Sequence, residues 1–121
     1  MTVSFHKYDN GFFPGTGEIF CNGRDEGKVI AINVPLLQGI DDESYNYFFE
    51  QIVCAAVEKF NPDIIILQNG AGSLKDDRIA IFNLTIHGHG RFVRFIKKLA
   101  KKLLVLGRGG YNVKKVVNWV Y

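Results

Sequence analysis

With 121 residues, 47% hydrophobic and 13% aromatic content, the chain has the make-up of one globular domain able to bury a core, and not of a disordered or fibrous protein. Fifteen basic residues against twelve acidic ones give a formal charge of +3, too small an excess to signal a nucleic-acid binder unless the charges share one face with groove-entering elements. Two isolated cysteines, Cys21 and Cys54, with no CxxC spacing and no apolar signal segment suggest a soluble protein of a reducing, intracellular compartment, and no apolar run approaches membrane-spanning length.

Met1 to Phe5 (MTVSF) alternates moderately and reads as a strand ending at His6-Lys7. From Tyr8 to Gly27, five glycines and Pro14 make a loop long enough to be functional or disordered. Phe12 and Phe13, beside the Pro14-Gly15 turn, read as a plug over the core or as the wall of a narrow apolar channel. Val29 to Val34 (VIAINV) is a second buried strand, stopped by Pro35.

Asp41-Asp42-Glu43 then supplies an N-cap and a negative first turn, after which Tyr45, Phe48, Phe49, Ile52, Val53, Ala56, Val57 and Phe60 recur at helical spacing. Asn61-Pro62 ends that helix. Ile64 to Gln68 is a third strand, and Thr85 caps a second helix with the stripe Phe92, Phe95, Ile96 and Leu99. Leu103 to Leu106 is the fourth strand, followed by a final helix carrying Val113, Val116, Val117 and Val120. Strand alternating with helix predicts parallel βαβ units with right-handed crossovers. Arg91, Arg94, Lys97, Lys98, Lys101, Lys102, Lys114 and Lys115 gather in the last third and read as a solvated helix face and a cation-rich helix C-terminus. Neither nucleic acid nor membrane is an expected partner.

The third strand runs into Asn69-Gly70-Ala71-Gly72-Ser73, placed where open α/β sheets bind ligands. That loop has no carboxylate, histidine or thiol before Asp76. Gly107-Arg108-Gly109-Gly110-Tyr111 also follows a strand and opens a helix, but it matches neither GxGxxG nor GxxxxGK[ST]. Tyr111 reads as a packed tyrosine, or as a donor to a developing oxyanion. His87 and His89, two apart on a helix, point in nearly opposite directions and cannot share an ion, so both read as surface or partly packed. His6 reads as structural. Asp76-Asp77-Arg78 reads as a turn or helix cap.

Five blocks carry a resemblance that the patterns do not supply: Ser4-Phe5-His6-Lys7-Tyr8; Phe13-Pro14-Gly15-Thr16-Gly17; Gly39-Ile40-Asp41-Asp42-Glu43-Ser44-Tyr45; Phe82-Asn83-Leu84-Thr85 with Gly88-His89; and Gly109-Gly110-Tyr111. In this order and spacing the chain resembles the zinc-dependent histone deacetylases of class I type, across all 121 residues. The resemblance implies a partial arginase/deacetylase-like α/β fold, with a mostly parallel sheet and helices on both faces. It implies that residues 1–121 correspond to the C-terminal part of the domain, with the N-terminal half absent and Thr2 to Phe5 left as an unpaired apolar edge.

In that family two aspartates and a histidine hold zinc, so that a bound water attacks the acetyl-lysine amide, and a tyrosine polarises the carbonyl. By resemblance Tyr111 is the carbonyl-polarising residue, Phe13 with Gly109 and Gly110 belongs to the acyl-lysine channel, and Ser4 falls at a structural potassium. Arg78 and Lys114 fall at positions for inositol phosphate and corepressor contact, Lys114 replacing an arginine and losing its fork. Histone tails and corepressor-type proteins are the implied partners, chromatin and transcription regulation the implied role, and the nucleus, with the cytoplasm second, the implied location. The family's QxGADSL loop has its zinc-ligand aspartate where this chain has Gly72, and Arg108 replaces a glycine before the tyrosine. The other two ligands and the proton-handling histidine pair lie upstream in the family, and none of His6, His87 or His89 is preceded by Asp-x. The expected chain is therefore a deacetylase relative without bound zinc and inactive alone, or a non-catalytic corepressor-binding remnant, or a pseudogene product.

Overall fold

The computed structural model describes residues 1–117; Val120, expected on the last helix, lies outside them. The chain divides into two compact units, residues 1–38 and 39–121.

In the first unit, β1 (Thr2–Lys7) and β2 (Ala31–Leu36) pair in parallel, in register from Thr2 opposite Ala31 to Lys7 opposite Leu36. β1 therefore has β2 along one side, and in this two-stranded sheet its other side is an edge with no strand against it among the described residues, as the expectation of an unpaired edge had it. β2 runs through Pro35 instead of stopping before it. The Thr2 N–H donates to the Ile30 carbonyl and the Tyr8 N–H to that of Leu36, so even-numbered residues of β2 face β1. Pro35 is odd, and its missing N–H points away from the ladder, where no bond is lost. Leu36 alone of β2 is buried, so the strand is not the buried one that its composition suggests. The connection is coil closed by a 3-10 turn at Asp25–Gly27. The Tyr8 hydroxyl donates to Glu18 at 2.6 Å, which raises its pKa, and the Lys7 ammonium lies 4.4 Å from the Phe12 ring centre.

The second unit begins with α1 (Asp42–Phe60), whose Asp41 cap accepts the Ser44 N–H at 2.9 Å and holds its own carboxyl below the usual range. The helix ends at left-handed Asn61, whose N–H donates to the Val57 carbonyl. Next come β3 (Ile65–Gly70), α2 (Ile86–Leu99) capped by Thr85, β4 (Leu103–Arg108) and the short α3 (Val113–Val116). β3 and β4 pair in parallel from Ile65 opposite Leu103 to Gly70 opposite Arg108, and α2 is the crossover that packs on both. The expected parallel α/β organisation is present. Both strands run two residues further than the apolar runs suggest, because the ladder continues through Asn69-Gly70 and Gly107-Arg108.

The core of this unit is the α1–α2 contact, where Phe49 lies 5.1 Å from Phe92 and Tyr45 4.6 Å from Phe92 between ring centres. Burial pushes the Tyr45 phenol up. Val53, Ala56 and Ile96 are buried with them, and Ala71, Leu74, Phe82 and Leu84 are buried in the same unit. Phe48 and Phe60, counted in the apolar stripe of α1, are exposed, because a stripe of eight positions is wider than one neighbouring helix covers. Side chains alternate along β3 and β4, leaving Ile66 and, directly opposite, Leu104 exposed with Leu106.

Candidate active site

β3 delivers the chain to a single 3-10 turn at Ala71–Ser73. Ala71 is buried, and the Ser73 hydroxyl donates back to the Gly70 carbonyl at 2.9 Å. Gly72 in the middle is not in the left-handed region, and a Cβ placed on it would lie 3.8 Å from the Gly110 N and 3.8 and 4.0 Å from two ring carbons of Tyr111. Those are ordinary contacts. The backbone at 72 therefore accepts any L side chain, and such a side chain would stand beside Tyr111.

Gly110 is the opposite case. Its φ is +112°, and a Cβ there would collide with the side chains of Val116 and Ala71, so only glycine lets the loop after β4 approach the Ala71 turn. Tyr111 follows with its ring about half exposed, at 55%. Its backbone N–H donates to Asp77 Oδ2 at 2.7 Å, and the Asn112 amide donates to the Asp76 carbonyl at 3.3 Å. Asp77 is 5% exposed, and its other oxygen accepts the Ile79 N–H at 3.0 Å. The reading of Asp76-Asp77 as a turn captures only the Ile79 bond.

His89 is 1% exposed, so the expected surface or partly packed histidine is instead a core residue, while His87 is exposed. Its Nε2 lies 2.9 Å from Ser73 Oγ. The single hydroxyl proton of Ser73 goes to Gly70, so His89 Nε2–H is the donor. That polarity is wrong for a nucleophile–base pair, in which the imidazole must accept from the serine. The bond instead ties α2 to the turn that carries Gly72. Burial lowers the His89 pKa to about 4, with the Asp42 carboxylate opposing the shift, so the ring is neutral at physiological pH.

The structure brings Gly72, Gly109, Gly110 and Tyr111 together at the ends of β3 and β4, with Arg78 and Lys114 exposed on the flanking segments. Arg108 is exposed at the end of β4, paired with Gly70. Phe13 and Ser4 belong to the first unit. Phe13 is 87% exposed and Phe12 half-buried. The His6 Nε2–H donates to the Gly17 carbonyl at 2.9 Å, leaving Nδ1 to accept the Ser4 hydroxyl at 2.9 Å, so His6 ties strand to loop as a structural residue. Asp77, Ser73 and His89 are the residues that sequence reasoning missed; their partners lie 34 and 16 positions away, and no local spacing signals them.

The residues of this segment do not by themselves supply a set of zinc ligands. Gly72 offers no donor, Asp77 has both oxygens on backbone N–H groups, and among the described residues no three His, Cys, Asp or Glu side chains group closely enough to hold an ion.

The family model described as "Histone deacetylase domain" matches residues 1–120. Histone deacetylase B of Dictyostelium discoideum is 48% identical over 122 aligned positions that take in the whole chain and 29% of the relative. Histone deacetylase 9 of Arabidopsis thaliana is 53% identical over 116, covering 96% of the chain and 27% of the relative. Histone deacetylase 1 of Homo sapiens is 47% identical over 122, covering the whole chain and 25% of the relative. The chain thus spans between a quarter and a third of the length of these relatives.

Two outcomes follow from this geometry. In urea unfolding Gly72→Ala changes stability by less than about 0.5 kcal/mol, whereas Gly110→Ala costs roughly 2 kcal/mol or more; equal losses would contradict the contrast. The second concerns pH. Unfolded chain, with His89 at its ordinary value near 6.5, binds the proton before folded chain does, so stability from the neutral ring is complete above about pH 6.5 and lost towards about pH 4. Between pH 7 and 4.5 the protein therefore loses roughly 2 kcal/mol more than His89→Gln, which keeps an N–H for Ser73 without titrating. Parallel pH curves for the two would refute the assignment.

Proposed function

The chain belongs to the histone deacetylase domain family, and from that membership we propose that it engages acetyl-lysine on histone tails, in the nucleus and with corepressor-type partners, without hydrolysing the amide by itself. The observation that carries this reading is the juxtaposition of Gly72 with Tyr111. The Tyr111 hydroxyl is an O–H that can donate to an acyl oxygen, the polarising half of amide hydrolysis. The other half is the activation of water. Around Tyr111, Gly72 has no side chain, Asp77 already accepts two N–H groups, and His89 presents a proton to Ser73. None of them is a free base for a water molecule. Elements of a catalytic set act as a unit, so loss of the water-activating part removes most of the rate.

A second reading rests on the positions of Arg78 and Lys114. Both are exposed; Arg78 follows Asp77, and Lys114 lies three residues after Tyr111, so they flank the bond that joins their two segments. A cationic edge of this kind suits an inositol phosphate or an acidic corepressor surface, and that role needs no metal.

Zinc content and acetyl-peptide hydrolysis of the purified chain test the first reading: substoichiometric zinc and no turnover are expected, and stoichiometric zinc with turnover lost in Tyr111→Phe would overturn it. For the second, Arg78→Ala weakens retention of an inositol phosphate or a corepressor fragment by roughly tenfold, and unchanged retention rejects it.

A further inference from the structure

Gly109 and Gly110 both have positive φ, at +57° and +112°, so the segment that presents Tyr111 is the most permissive stretch of backbone near the site. Something outside it must choose one conformation. Among the bonds that reach it from the 76–79 segment are that of Asn112 to the Asp76 carbonyl at 3.3 Å and that of the Tyr111 N–H to Asp77 Oδ2 at 2.7 Å. The second is the shorter, is charge-assisted, and is made by a carboxylate that is 5% exposed. A turn needs only the bond from Asp77 Oδ1 to the Ile79 N–H; a turn role alone leaves Oδ2 and the burial of a charge unexplained.

We propose that Asp77 is the positioning residue for Tyr111: its carboxylate fixes the Tyr111 backbone against the turn at Gly72, so that the ring stands beside that turn with its hydroxyl available to an acyl oxygen. The inference rests on the reading of Tyr111 as the carbonyl-polarising group, and it adds the group that sets where this phenol stands. Asp77 touches no substrate in this scheme and acts through Tyr111.

The test is by NMR on the isotope-labelled chain, with no acyl-lysine peptide present, so it succeeds or fails independently of ligand binding. Asp77→Ala is expected to speed exchange of the Tyr111 and Ile79 amides by about tenfold or more. It is also expected to abolish the ring-current shift that Tyr111 imposes on the Gly72 Hα protons, while the Leu67 amide in the β3–β4 ladder keeps its protection. Tyr111→Phe, which retains the ring and the backbone N–H, keeps the Gly72 shift. Unchanged exchange at Tyr111 or unmoved Gly72 resonances overturn the proposal. Should Asp77→Ala lose Leu67 protection as well, the unsubstituted chain decides: a scalar coupling across the hydrogen bond between the Tyr111 nitrogen and the Asp77 carboxyl carbon supports it, and absence of that coupling overturns it.

Discussion

Asp42, in the first turn of α1, accepts both the backbone N–H of Thr85, at 2.8 Å, and its side-chain hydroxyl. Thr85 is the cap of α2 and accepts the Gly88 N–H at 3.1 Å, so one carboxylate joins the starts of two helices that lie 43 residues apart. The carboxyl group occupies the space that a side chain at Gly88 would need, which makes that glycine a requirement of close approach. With its N-terminus fixed there, and the Phe49–Phe92 contact holding the helices one turn and more further along, α2 has no freedom to slide. His89, on the next residue after Gly88, is then set to reach Ser73.

The sequence of contacts Asp42, Thr85, His89, Ser73, Gly70 runs from a helix cap to the turn that carries Gly72, and every link is a hydrogen bond or an adjacent residue. What it preserves is a backbone. Ala71 and Ser73 carry out the structural tasks of that turn, one by burial and the other by hydrogen bonding, and Gly72 carries none. The backbone therefore tolerates a side chain or its absence at position 72, whereas the glycine at 110 cannot be exchanged. Fold and chemistry rest on different atoms at this point: the shape of the turn depends on Ala71 and Ser73, and any chemistry at position 72 would depend on a side chain that glycine does not have.

The parts of this architecture that are legible in the residues are the local ones. Asp41 and Thr85 cap the two helices, Asn61 ends α1, and the strands overlap the β-branched runs, β2 beginning at Ala31, two residues into the VIAINV run. Pro35 misled because its meaning depends on which side of a strand is paired, and that is decided by β1, far away in sequence. The reach of β3 and β4 through Asn69-Gly70 and Gly107-Arg108 was hidden for a related reason, since two poor strand formers can support each other in register. Asp77 and His89 were misread because burial of a polar group is decided by partners that only the folded chain supplies. Gly72 is singled out by family resemblance alone, and no backbone demand in the structure calls for glycine there.

The outward side of the β3–β4 ladder, where Ile66 sits across from Leu104 with Leu106 further along, has a bearing on how long such a chain persists in a cell. Parallel ladders are ordinarily covered on both sides, and a greasy surface of this kind is what chaperones and proteases recognise. By the same physics, whatever packs over these three side chains withholds them from such recognition, whatever chemistry the neighbouring loops carry.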